Sequence, residues 1–449
     1  MNSNNDIYSR RIFLTITLIL LLVVQVGCTS SQPLSKNGPK PGLTNEGPSG
    51  QAPSVDLTKV SGPLTLWSHY EIGDTEKALI RSRYPDVDIT YKTIPADKAV
   101  HAYLQSFAED SVDLFILKGS WLGHFSEIDL FEDLSKAPYF ADPLLDEFPG
   151  PLRSSYRSFD EQKLLALPLA VDPMVTFYRY DVFEQANLPS RPEDLADYMV
   201  DHANWLHAAK SLKSGNQWII PWVSEPLTLV TAGSTFFDKN MNYSFDRNQL
   251  VNALETGWEI EKYGLASSSN IYIDSGKIGI KDNKTVMFYA GVYYAEELKR
   301  IAPDMAGQWR MTALPFGINA LSYQDLIAVS SRSTNKSAAW AVAQLLTENQ
   351  RTSVERLKSM QLHPELDPGD PYFGGQKTGL LQYRLLDQVP EGKLTPIDEE
   401  SNQILWQTWN EHFYEHSLSA QDLAHAIEQD ITSGLEQEIQ SLKDILADP

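Results

Sequence analysis

The chain has 449 residues, 42% of them hydrophobic, 10% aromatic and 21% charged. That balance excludes global disorder and leaves room for two domains of ordinary size. With 59 acidic residues against 37 basic ones the formal charge is −22, which excludes the basic footprint that phosphate-directed nucleic-acid binding requires.

The acidity has two readings: solubility outside the cell, or attraction of cationic ligands. Only one cysteine is present, Cys28, so no internal disulfide is predicted and the lone thiol points to a modified residue. Its setting is specific. A polar start ends in Arg10-Arg11, an apolar run covers residues 12–24, and Gln25-Val26-Gly27 precedes Cys28. Basic start, apolar core and small residue before the cut describe a secretory signal, and the run is too short for a single-pass anchor. Val26-Gly27-Cys28 resembles the bacterial lipobox, whose cysteine becomes the diacylated first residue; Gln25 departs from the aliphatic residue preferred there. Residues 9–14, Ser-Arg-Arg-Ile-Phe-Leu, also look like a twin-arginine export signal, which competes with the ordinary secretory route. Residues 1–27 are therefore read as signal peptide. Residues 28–60, rich in Ser, Pro, Gly and Asn, are read as a lipidated flexible tether.

In the body, residues 64–67 (Leu-Thr-Leu-Trp) predict a first strand, and Asp74 is placed to cap a helix that stops before Pro85. Val87, Ile89 and Tyr91 alternate with polar residues as a second strand. A helix through Tyr103, Leu104 and Phe107 then leads to the apolar run 112–117, which suits a strand buried on both faces. This rhythm predicts a parallel α/β sheet. Residues 164–171 carry Pro168 inside an apolar run and read as a first crossing between domains, with residues 313–316 (Ala-Leu-Pro-Phe) as the return. Residues 326–329 predict a strand and 337–346 a helix. Ser419-Ala420-Gln421-Asp422 is a capping signature for a C-terminal helix with Leu423, Ile427, Ile431, Leu435 and Ile439 at four-residue spacing. No repeat of solenoid length is present.

Several segments together resemble the family 1 bacterial extracellular solute-binding proteins, the maltose-binding type. They are residues 113–134, with Asp-Leu-Phe-Ile-Leu, then Ser-Trp-Leu-Gly-His-Phe and Leu-Phe-Glu-Asp-Leu; Leu167-Pro168 with Asp172 and residues 177–189; residues 286–291, Val-Met-Phe-Tyr-Ala-Gly; and residues 325–346. The resemblance is patchy from about Pro63 onward. Members often carry a glycine pair before the return strand, where this chain has Ala320-Leu321-Ser322-Tyr323. The resemblance implies a periplasmic-binding-protein type II fold: two α/β lobes of discontinuous chain, hinge strands, and a ligand cleft closed by hinge motion. Residues 61–170 with 313–360 would form lobe 1, and residues 171–312 with 361–449 lobe 2. It further implies delivery of a small solute to the permease of an ABC importer by a monomeric, lipid-anchored protein on the outer face of the cell membrane, with no cofactor and no nucleic acid.

A neutral sugar offers hydroxyls and flat C–H faces, so its site needs aromatic rings beside carboxylates or amides. The 10 Trp and 20 Tyr supply many rings, several at predicted strand ends, where open α/β sheets bind ligands. The candidates are Trp67 and His69 after the first strand, Trp121 after the third, Trp222 and Glu225 in residues 219–226, Tyr289 and Tyr293 beside Gly291, and Trp406 near the C-terminus. Asp172 is the leading polar candidate. For every ring the competing reading is core packing, and for Asp172 a turn cap. A peptide or polyamine, or a ligand-sensing surface role without transport, is the alternative on the same fold.

An enzyme is the remote alternative. His412, Glu415 and His416 spell H-x-x-E-H, the inverted zinc-peptidase motif. A third ligand would have to come from Glu428, Glu436 or Glu438 on an amphipathic helix. There is no G-x-S-x-G elbow, no C-x-x-C pair and no phosphate-binding glycine loop, so no catalytic residue is assigned.

Overall fold

The computed structural model describes residues 59–109, 112–126, 128–390 and 395–447; the signal sequence, Cys28 and residues 29–58 lie outside the described residues. The first three strands form where the apolar pattern places them: β1 Gly62–Ser68, β2 Val87–Thr93 and β3 Leu114–Lys118. They lie in the order β2-β1-β3 and pair in parallel. Helices Asp74–Arg83 and Ala96–Glu109 make the crossovers. The N-cap of the first helix is Gly73, not Asp74, which sits inside the first turn with Glu76, where both charges oppose the positive end of the helix dipole. Leu114, Phe115 and Ile116 are fully buried, as a strand covered on both faces should be.

The sheet does not stay parallel. A long strand, β4 Leu167–Arg179, is followed by β5 Met287–Gly291, β6 Trp309–Thr312 and β7 Leu321–Val329. β7 inserts between β3 and β4, antiparallel to both. The first half of β4, Leu167 to Pro173, pairs with β7; the second half, from Met174, pairs with β5 and β6. One strand therefore belongs to two sheets, and the handover falls at Pro173. Proline has no N–H to donate, so it fits where one ladder ends and another begins. The register also shifts between Asp172 and Pro173. On its far side the Met174 N–H donates to the Ala320 carbonyl at 2.9 Å.

The apolar side chains gather accordingly. One core contains Leu66, Phe115, Leu167, Ile327 and Val342. A second contains Tyr178, Trp205, Leu254, Trp409 and Ile427, and a third contains Val175, Phe177, Phe288 and Trp309. Alternation along β4 decides the last two: Val175 and Phe177 point to one face of the β4-β5-β6 sheet, Tyr178 to the other. Helix Thr378–Asp387 gives Leu386 to the first core and Leu381 and Leu385 to the third, which makes it a further connection. Leu314, Phe316, Ile318 and Ala320 all pack in the second core. The chain re-enters the first core at β7, and within the segment expected as the return Pro315–Gly317 make a 3-10 turn in which Phe316 has φ 63°.

Two helices differ from the sequence pattern. The one expected over 337–346 runs through Lys336–Leu362, held further along by buried Val354 and Leu357. The C-terminal stripe is divided into Ala420–Gly434 and Glu436–Ala447. Ser419 caps the first of these as its motif predicts, with Oγ accepting from the Asp422 N–H at 3.1 Å. Among the described residues no helix is long and apolar enough to cross a membrane.

Candidate functional site

The polar ends of the strands converge near the β4 handover. β7 is only partly buried from Leu321 to Asp325 and fully buried from Leu326 to Val329, so its first half is a surface and its second half a core strand. Asp325 on that surface accepts from, or is paired with, His69 just past β1: Nε2 lies 3.0 Å from Oδ1. The His69 ring meets Tyr70 edge-on at 4.9 Å and Trp121 at 5.1 Å. Two residues back along β7, on the same face by strand periodicity, Tyr323 packs edge-on against Tyr293 at 5.6 Å. The Tyr293 hydroxyl donates to the Tyr272 hydroxyl at 3.3 Å. His69, Tyr70 and Trp121 belong to the side of the first core, Tyr272 and Tyr293 to the other, so this row of rings crosses the β4–β7 junction.

Two acids stand beneath the row. Asp172, 5% exposed, accepts the Tyr293 backbone N–H through Oδ2 at 3.4 Å. Burial pushes its carboxyl up to about 7 despite the N–H groups of Tyr293 and Val292, which act the other way. Gly291 makes this approach feasible: a Cβ there would fall against Asp172 Oδ2, Tyr293 and Ser322. Glu225 opens helix Glu225–Ala232 and is 7% exposed. Burial alone raises its carboxyl to about 7. Burial raises the Tyr289 and Tyr272 phenols; the charge of Glu225 adds to this at Tyr289 and, behind the effects of Tyr293 and Tyr294, at Tyr272. The Tyr289 hydroxyl is held below by a 2.8 Å bond from Trp205 Nε1.

The residues singled out from sequence therefore divide. His69, Asp172, Glu225 and Tyr293 are gathered around the junction. Trp67 is not at a surface: it is 4% exposed in the first core, edge-on to Phe115, with Lys92 Nζ 3.7 Å above its ring. Trp121, 5% exposed, meets the row through His69, whereas Tyr289, 7% exposed, packs in the second core. Trp222 is open, 44% exposed, on the loop before Glu225. Trp406 is half-buried against the second core, edge-on to Trp409 at 5.5 Å. Sequence reasoning missed Tyr70, Tyr272, Tyr323 and Asp325. For Tyr323 and Asp325 a signal existed, the polar alternation of residues 322–325 ahead of an apolar strand; for Tyr272 there was none. A further cross-contact, His124 Nε2 to Glu399 Oε2 at 2.9 Å, links the turn Gly119–Phe125 to helix Asp398–His412.

The zinc motif does not assemble. Its helix ends at His412, and His416 has φ 48°, so the two imidazoles do not share a helical face. His416 instead pairs with Glu261 at 3.1 Å. Among the described residues no three His, Cys, Asp or Glu side chains are grouped to hold a metal.

Residues 67–351, more than half of the chain, match the family model for bacterial extracellular solute-binding proteins. The chain belongs to that family of two-lobed binding proteins. No curated protein matches the sequence. Among solved structures it is similar to an ABC-transporter-associated binding protein of Bifidobacterium animalis subsp. lactis in complex with β-1,6-galactobiose: TM-score 0.60, 15% identity, 84% of this chain against 98% of that one. The GacH receptor of Streptomyces glaucescens, solved unliganded and with acarbose, gives TM-score 0.63 at 17% identity, covering 84% and 99%. The sugar-binding protein MalE of Xanthomonas citri gives TM-score 0.59 at 18% identity, covering 86% and 98%. At these identities the likeness concerns the fold.

Proposed function

We propose that this chain is the extracytoplasmic solute-binding component of an ABC importer, and that it captures a saccharide between its two lobes for a membrane permease. The observation that carries this reading is the row Tyr70, His69, Tyr323, Tyr293 and Tyr272, flanked by Asp172, Glu225 and Asp325 and laid across the strand that the two sheets share. Flat rings suit the C–H faces of a pyranose, and carboxyl oxygens suit its hydroxyls. Bending at the Pro173 joint would bring Tyr70 and His69 toward Tyr272 and Tyr293 without breaking either sheet, because the ladder already changes partner there. Two of the similar solved structures are complexes with galactobiose and with acarbose, which supports a carbohydrate over a peptide or polyamine. A cysteine placed like that of a lipobox supports anchoring at Cys28 after removal of residues 1–27, with the following residues as tether.

Thermal-shift measurement over a panel of mono- and oligosaccharides tests the ligand. A bound sugar at a hundredfold excess over its Kd stabilises the protein by about 2.7 kcal/mol. A panel in which no sugar raises Tm refutes the reading. For the anchor, Cys28→Ser should move the protein from the membrane fraction to the medium and abolish acyl labelling.

A further inference from the structure

This inference rests on the saccharide reading and narrows it. We infer that the row of rings and acids across the β4–β7 junction is built for a saccharide carrying a free protonated amine, whose ammonium group is compensated by Asp172 and Glu225 and covered by the Tyr272, Tyr293 and Tyr323 rings.

A neutral sugar needs hydrogen-bonding partners but no net charge in its site, and amides serve it as well as carboxylates. Here two carboxyl groups are more than nine-tenths buried, at 5% and 7% exposure, with no cation assigned to either. The Asp172 side chain receives a single hydrogen bond among the described residues, from the Tyr293 backbone N–H. The Glu225 side chain has no hydrogen-bond or ion-pair partner among the described residues, and no neighbouring charge offsets its burial. Among the described residues no basic side chain pairs with either carboxyl or acts on it as a neighbouring charge. Buried acids without counter-charges are rare because desolvation of the ionised form is costly. A ligand that brings the missing positive charge removes that cost, since a cation within about 4–6 Å favours the ionised carboxylate. The phenol rings add faces on which an ammonium group is attracted. A formal charge of −22 on the chain increases the local concentration of such a ligand.

The experiment is isothermal titration of the mature protein near neutral pH with three disaccharides of one linkage: the free-amine glucosamine form, its N-acetylated counterpart and the all-hydroxyl glucose form, with spermidine as a fourth probe. The free-amine sugar should bind at least about tenfold tighter than either neutral one, in line with the strength of charge-assisted bonds. In Asp172→Asn and Glu225→Gln, each checked for folding by its melting transition, that ratio should fall to about threefold or less. Neutral disaccharides binding as tightly as the free-amine form overturn this inference and leave the saccharide reading standing. Spermidine binding with no sugar binding overturns both.

Discussion

If Asp172 and Glu225 are buried without counter-charges, the ligand-free protein must lose stability as pH rises, and Asp172→Asn should remove part of that loss. The Asp172 carboxyl moves from an ordinary 3.8 in the unfolded chain to about 7 in the fold. A raised folded value means that the native state holds the proton more tightly. Its stabilising effect is complete below about pH 4 and is lost as pH climbs through about pH 7. A gap of roughly three pH units corresponds to about 4 kcal/mol, at about 1.4 kcal/mol per unit. Glu225, moving from 4.5 to about 7, adds roughly 3 kcal/mol in the same direction. Asparagine keeps an oxygen for the Tyr293 N–H but does not titrate. Wild type and variant should therefore unfold alike near pH 4, within the ~1 kcal/mol worth of one hydrogen bond. Near pH 8 the variant should be the more stable by up to about 4 kcal/mol. Urea unfolding followed by tryptophan fluorescence at steps between these limits measures it. Parallel stability–pH curves for the two proteins would show that Asp172 is already ionised at neutral pH, and the buried-acid argument would fail.

Other substitutions separate ligand contact from packing. Trp222→Ala, at an exposed ring, should change stability by less than about 0.5 kcal/mol while weakening saccharide binding; unchanged titration would remove Trp222 from the site. Trp67→Ala should cost about 3–5 kcal/mol in unfolding free energy, because that ring fills the first core; a loss below about 1 kcal/mol would contradict its burial. Gly291→Ala should cost about 1–3 kcal/mol through overpacking and raise Kd, because its methyl group meets Asp172, Tyr293 and Ser322; a fully stable variant with native affinity would refute that geometry. The His124–Glu399 pair should matter most in mild acid. Burial by itself depresses His124, but the bond to Glu399 and the charges of Glu400 and Asp398 outweigh it and raise its value above 6.5, so its contribution is complete below that pH and fades as pH rises through the raised value. His124 in turn holds Glu399 below 4.5, a contribution present above that pH and lost in stronger acid. With Glu399 42% exposed, the pair is worth at most about 1 kcal/mol; His124→Gln should lower Tm between pH 4.5 and 6.5 and have a diminishing effect as pH climbs through the raised His124 value, and a constant difference across pH would refute it.

Much of the fold was legible because it is written in local patterns. The alternation of residues 87–91 and the unbroken apolar run 112–117 are properties of single segments, and they became β2 and β3. The capping signature at Ser419 likewise acts within one turn. Family membership followed from such patches, since each preserves a strand end with its loop.

Only the tertiary structure decided which ring is core and which is surface. Trp67 and Trp222 both follow apolar stretches, yet one is sealed and the other open, because the answer depends on what packs above each strand end. The antiparallel insertion of β7, which joins residue 172 to residue 323 and residue 69 to residue 325, pairs positions more than 150 residues apart, and no local periodicity encodes that. Nor could the sequence reveal that Asp172 and Glu225 are without cations: burial and counter-charge are properties of the assembled neighbourhood, set by every element that shuts water out of it.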